Sequence, residues 1–155
     1  MDLNATHQFF RALEDMIHAL DIETTYVEGI HAPQIGDTLR ILLPVTEEGH
    51  PVITEVMLTD FTEEDDLLFI YSTVIAAFSE KAAELPQKLS EWNLLCPLGA
   101  FGIYEEEGQL FHKYTLPIPK DAEPGDLAEE AMYLLELIHS VLSEKYSELM
   151  EYAAQ

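Results

Sequence analysis

Apolar residues recur along this chain with two periods, and the period changes where the elements change. Over residues 4–20, Phe10, Leu13, Ile17 and Leu20 fall three or four apart. Phe9 and Met16 widen the stripe, and Arg11, Glu14, Asp15 and His18 lie opposite it. That spacing predicts a helix with one buried side, with Asn4 placed to cap it. From Ile22 the period drops to two. Ile22, Thr24 and Tyr26 alternate with Glu23, Thr25 and Val27. Leu39, Ile41, Leu43 and Val45 form the next alternating set, then Val52, Thr54, Val56 and Leu58. A fourth stretch, residues 67–75, is rich in Phe69, Ile70, Tyr71 and Val74. Turn chemistry separates the four: Pro33 and Gly36 within residues 31–37, Glu47 to Pro51 around Gly49, and the acidic group Glu63, Glu64, Asp65 and Asp66. Strands joined by such short connections predict an antiparallel meander.

A helical region then opens at Ser79. Pro86 has no N–H and clashes with a preceding turn, so a break is expected near Leu85, with Pro86 starting a second short helix. Leu85, Leu89 and Trp92 mark its buried side, and it closes on Trp92 and Asn93. Pro97, Leu98 and Gly99 make a turn into a hairpin whose strands are residues 100–104 and 109–118, around Glu105, Glu106, Glu107 and Gly108. On the return strand Leu110, His112, Tyr114, Leu116 and Ile118 share one face. Asp126, with Glu129 three residues on, reads as a capping box for a long last helix. Its stripe is Ala131, Leu134, Leu135, Ile138, Leu142, Tyr146 and Leu149. The layout is α-ββββ-α-ββ-α: one α+β domain over residues 1–155, with an antiparallel sheet of about six strands, an N-terminal helix, a mid-chain helix and a long C-terminal helix.

This order resembles the YbjN-like group, which shares the fold of bacterial type III secretion chaperones. The helix from Leu85 to Trp92, Asn93, and the hairpin from Gly99 to Ile118 carry the likeness. The resemblance implies a small, acidic, dimeric protein. The secretion chaperones bind an extended segment of a client along their surface, so a protein or peptide client is the implied partner. The long front strands, residues 52–75, are an elaboration on the compact chaperone pattern. The group has no catalytic residue to carry over.

Charge narrows the partners. The chain has 155 residues and carries 30 acidic against 7 basic residues, a formal charge of -23. Both halves share the imbalance, with 15 acids and 2 bases in residues 1–78 and 15 acids and 5 bases in residues 79–155. Such a surface repels phosphate, which disfavours nucleic acid and anionic membrane. Cys96 is the single cysteine, so no internal disulfide forms. The start of the chain lacks a basic region followed by an apolar run, and no apolar stretch approaches a membrane span. A cytoplasmic protein is expected.

Candidate chemistry is sparse. Glu136 and His139 lie three apart on the last helix, as in carboxylate-bridged di-iron sites, but a second such pair is absent. They read as an ordinary surface pair. His7 and His18 are too far apart on one helix to share a metal, and His31 and His50 sit beside prolines in loops. His112, on an apolar strand face, reads as a hydrogen-bonded core or interface histidine. The groups Glu63 to Asp66 and Glu105 to Glu107 lack calcium-loop spacing and read as solvated turns. Cys96 precedes Pro97 with no basic neighbour and reads as a buried, inert thiol. Gly99 and Gly102 begin a strand, not a helix, so they form no phosphate loop. They read as room for a close-packed helix or partner backbone. No catalytic residue, cofactor site or metal site is assigned.

Six aromatic residues remain: Phe69, Tyr71, Phe101, Tyr104, Phe111 and Tyr114. They are either core or a binding stripe across the sheet. If helices cover one sheet face only, the other is left to a dimer mate or a client. The expectation is a non-catalytic, homodimeric protein-interaction module that holds a client protein or peptide in a chaperone-like way. The alternative is a small-molecule or enzymatic site using buried carboxylates in a concave sheet.

Overall fold

Each alternating stretch of the sequence is a strand, and over residues 38–44, 51–60 and 65–75 burial follows the alternation, with Thr38, Thr54, Asp66 and Ser72 buried among the apolar residues. The computed structural model describes residues 1–29 and 36–154. The strands are β1 (Thr24–Val27), β2 (Thr38–Pro44), β3 (Pro51–Asp60), β4 (Asp65–Ile75), β5 (Ala100–Tyr104) and β6 (Gln109–Pro119). They form one antiparallel sheet of six in the order β1-β2-β3-β4-β6-β5. The helices are α1 (Leu3–His18), α2 (Leu85–Leu95) and α3 (Pro124–Met150), with a 3-10 turn at Glu80–Glu84 before α2. The α+β architecture and element order are those the hydrophobic pattern implies. Among the described residues no helix is long and apolar enough to cross a membrane.

The pairing register decides what each face carries. Leu39, Val56, Ile70 and Tyr114 stand side by side across four strands. One residue along, Arg40, Glu55, Tyr71 and Lys113 do the same on the opposite face, because side chains alternate sides along a strand. The first face is the core side. Phe9, Phe10, Leu13 and Ile17 of α1 are buried there, with nine residues of α3 from Leu127 to Leu149. The two helices pack on one another over this face. Thr54 and Ser72 are also buried on it. They sit opposite each other on β3 and β4, and their hydroxyls meet at 2.8 Å, so neither is left unsatisfied.

The termini of the helices differ from the sequence expectation in instructive ways. Asp2, not Asn4, caps α1, its carboxylate accepting from the Ala5 N–H at 2.8 Å. The helix therefore starts two residues earlier. It ends at His18, and Asp21 takes a positive φ of 59° in the turn that follows. At α3 the cap is Glu123, which accepts from the N–H groups of Gly125 and Asp126 at 2.8 and 3.0 Å. Asp126 sits inside the first turn, where its charge complements the helix dipole. The break at Leu85 is present, with Pro86 in the first turn of α2, but that helix runs two residues past Asn93. The loop expected over residues 31–37 lies, up to Ile35, outside the described residues, and His31 with it.

Candidate functional site

The six aromatics divide by strand parity. Phe101 and Tyr114 point to the core side, where Phe101 packs edge-on against Trp92 and His112 at 6.0 and 5.1 Å between ring centroids. Phe69, Tyr71, Tyr104 and Phe111 point to the other side, and the residues there are half-buried or exposed. The Tyr71 and Phe111 rings stack at 4.9 Å, and Tyr104 leans on Phe111 at 5.0 Å. Lys113 lies over the Phe69 ring, 4.8 Å from its centroid, a cation–π contact between neighbouring strands on the same face. Met57 stands opposite Phe69 on β3. Met57, Phe69, Tyr71, Tyr104 and Lys113, with Glu55 and Thr59, line a shallow depression, and Phe111 stands beside it against Tyr71 and Tyr104. Burial, then Tyr104, Glu107 and Glu55 nearby, push the Tyr71 pKa up to about 12, so its hydroxyl stays protonated at neutral pH.

Two glycines shape this face. A Cβ on Gly102 would stand 2.4 Å from the tip of the Phe111 ring. The absence of a side chain on β5 is what lets that ring lie flat beside Tyr71 and Tyr104. Gly99 has φ of 71°, and a Cβ there would meet the Lys113 carbonyl at 2.5 Å. The room these glycines leave is filled by β6, not by a helix or a partner backbone as the sequence suggested.

Asn93 closes the outer edge of the sheet. Its side-chain carbonyl accepts from the Phe101 N–H at 2.7 Å, and its amide donates to the Phe101 carbonyl at 2.9 Å. Those are the two bonds a further strand would make to β5 at Phe101. Beside it, the Trp92 indole donates to Glu148 of α3 at 2.9 Å. That bond, with Lys145 close by, holds the Glu148 carboxyl below its ordinary range.

His112 is fully buried, as expected of a core histidine, and its Nε2 lies 2.7 Å from the Leu98 carbonyl. A carbonyl only accepts, so Nε2 carries the proton. Nδ1 has no partner among the described residues. Burial holds the His112 pKa below the ordinary 6.5, against the opposing pull of that hydrogen bond. Cys96 is half-buried, where full burial was expected. Its thiol donates to the same Leu98 carbonyl at 3.1 Å and lies 3.9 Å from His112. The neutral imidazole offers it no positive charge.

The other sequence candidates are dispersed. His7 faces Asp37 at 3.5 Å, and Asp37 also accepts from the Tyr26 hydroxyl at 2.5 Å. Burial, and then that carboxylate, raise the Tyr26 pKa. His18 meets Thr24, His50 stacks over Tyr146, and His139 meets Ser143. Glu63 and Glu64 are exposed, but Asp65 and Asp66 belong to β4. Asp66 is buried, the only buried acidic residue among the described residues, and its carboxylate takes the Met1 α-amino group. It is thus not part of a solvated turn. Glu105, Glu106 and Glu107 are exposed at the β5–β6 turn. Among the described residues no group of three or more His, Cys, Asp or Glu side chains is placed to hold a metal ion.

Met57, Arg40, Glu55 and Lys113 belong to the open face and were not singled out by the sequence reading. The signal that finds them is parity: each sits opposite an open-face residue on the neighbouring strand. No protein-family model matches the chain, and no curated protein matches it in sequence.

Proposed function

We propose that this chain is a non-catalytic protein-interaction module that captures a client protein or peptide, chaperone-like, on the open face of its sheet. The observation that carries the reading is the placement of Phe69, Tyr71, Tyr104 and Phe111 with Met57 on the face that α1 and α3 leave uncovered. Stacked aromatics in a half-exposed depression are the residue types that dominate binding energy at protein interfaces. Charge supports the same surface. Arg40 and Lys113 outnumber Glu55 along its central row, whereas the chain as a whole carries -23.

That local balance also favours a second reading, a two-fold dimer through the same face. Two strongly negative copies meet at least cost where each is nearly neutral. The alternative of an acid–base site calls for two or more buried carboxylates, and Asp66 is the only one among the described residues.

The test is a tagged pull-down from native cell extract at low and moderate salt, read by mass spectrometry, with light scattering for oligomeric state. The comparison is with the double variant Tyr104→Ser, Phe111→Ser. A stoichiometric protein partner lost in the variant is the expected result. A partner retained equally by both proteins, or a wild-type protein recovered alone as a monomer, overturns the proposal. A wild-type dimer without a client, dissociated by the variant, assigns the face to the second copy instead.

A further inference from the structure

We propose that the cavity between α1, α3 and β2 is a binding site for a small amphiphilic cation, an apolar chain or ring ending in an ammonium group. The cavity lies on the helix-covered side of the sheet and is independent of the docking face. Its volume is about 310 Å³. It stands at the lower end of small-molecule sites, and at about 30 Å³ per water-sized group it admits roughly ten non-hydrogen atoms.

The floor is apolar. Ile17, Ile41, Leu43 and Leu135 line it, each otherwise buried in the core. The mouth is polar on one side only, where α3 contributes Glu136, His139 and Ser140. Spacing of three and four residues places these on one side of the helix, which gives the Glu136 and His139 pair a place that metal-ligand spacing did not. Ser140 spends its hydroxyl on the Glu136 backbone carbonyl at 3.1 Å, and His139 faces Ser143 at 3.3 Å. The Glu136 carboxylate makes no ion pair among the described residues.

The sign of the head group follows. A carboxylate or phosphate head would face Glu136 in the field of a chain carrying -23. An ammonium head is drawn in by both, and its apolar body replaces water over the floor.

The experiment is a methyl NMR titration of the full chain with n-octylammonium, n-octanol and n-octanoate, followed at Ile17, Ile41 and Leu135. The same series is run on Glu136→Gln and on Met132→Trp, which fills the mouth. Octylammonium should bind at those methyls with one-to-one stoichiometry and about threefold more tightly than octanol, the scale of an ion pair with an exposed carboxylate, with octanoate weakest. Glu136→Gln should remove the advantage over octanol, and Met132→Trp should abolish binding of both while the folded spectrum persists. The proposal is overturned if octanoate binds as well as octylammonium. It is overturned equally if Glu136→Gln leaves the preference intact, which would assign it to overall charge, or if no probe shifts these methyls.

Discussion

Asn93 does the work of a missing strand, and removing it has a calculable cost. β5 is an edge strand, and edge strands expose backbone groups that invite pairing with other chains. At Phe101, a residue only 5% exposed, those groups are taken by the Asn93 side chain at 2.7 and 2.9 Å. Asn93→Ala removes both bonds. At about 1 kcal/mol net for each, the loss is about 2 kcal/mol. Asn93 itself is exposed, so water reaches the vacated groups and the full desolvation penalty does not apply. Asn93→Asp keeps the acceptor, loses the donor and sets a carboxylate oxygen against the Phe101 carbonyl. It should be no more stable than the alanine variant. The assay is urea unfolding by circular dichroism, with Trp92 fluorescence as the local probe. For an m-value of about 2 kcal/mol/M, the midpoint should fall by about 1 M with m unchanged. An alanine variant within about 0.5 kcal/mol of wild type, or an aspartate variant as stable as wild type, would refute the edge-cap account.

Other perturbations test other parts of the fold. The unfolded chain takes up a proton on His112 before the folded one does, because burial depresses the folded pKa below 6.5. Its contribution is therefore intact above pH 6.5 and lost as pH falls toward the folded value. His112→Leu should flatten the slope of Tm against pH below that point, and an unchanged slope would reject the assignment. Thr54→Val strands the Ser72 hydroxyl in the core and should cost about 1–3 kcal/mol, while Thr54→Val with Ser72→Ala should cost less than the two single changes summed. Gly102→Ala drives the Phe111 ring off its stack and should destabilise by about 1–3 kcal/mol; an unaltered Tm would show that the ring yields freely. Added salt should raise Tm from low to moderate concentration by screening the surface charge, and a flat or falling Tm would count against a uniformly repulsive surface.

The sheet was legible in the sequence because its alternation is strict: Val52, Thr54, Val56 and Leu58 mark one face of β3 without interruption, and all four are buried. The helix starts were less legible. Capping depends on which side chain reaches the free N–H groups, and Asp2 and Glu123 reach them from two and three residues before the favoured Asn4 and Asp126. The aromatic stripe was legible as a set but not as a surface. Its division between core and open face requires the β4–β6 register, which joins residues about 40 apart in sequence. Asn93 and Phe101 are eight residues apart, yet nothing in their spacing shows that a helix end folds back onto a strand edge. Glu136 and His139 read as an ordinary surface pair, and metal-ligand spacing and a shared helix side are the same pattern in sequence; that both line one cavity with β2 requires the tertiary packing.

Charge and apolar surface act on different steps of partner binding, and here they lie in different places. A negative field spread over the chain acts at long range, so on the proposed reading it would set the rate at which a partner arrives and favour a basic one. The aromatic face acts only on contact, so on that reading it would set how long the partner stays. If the open face is the docking surface, added salt should slow association and leave dissociation nearly unchanged. Phe111→Ser should do the reverse. A partner held by charge alone would lose both rates' advantage in salt and ignore Phe111→Ser. A second copy of this chain would associate faster in salt, since screening removes the repulsion between like charges. The direction in which salt moves the association rate therefore separates a basic client from a dimer mate before either is identified.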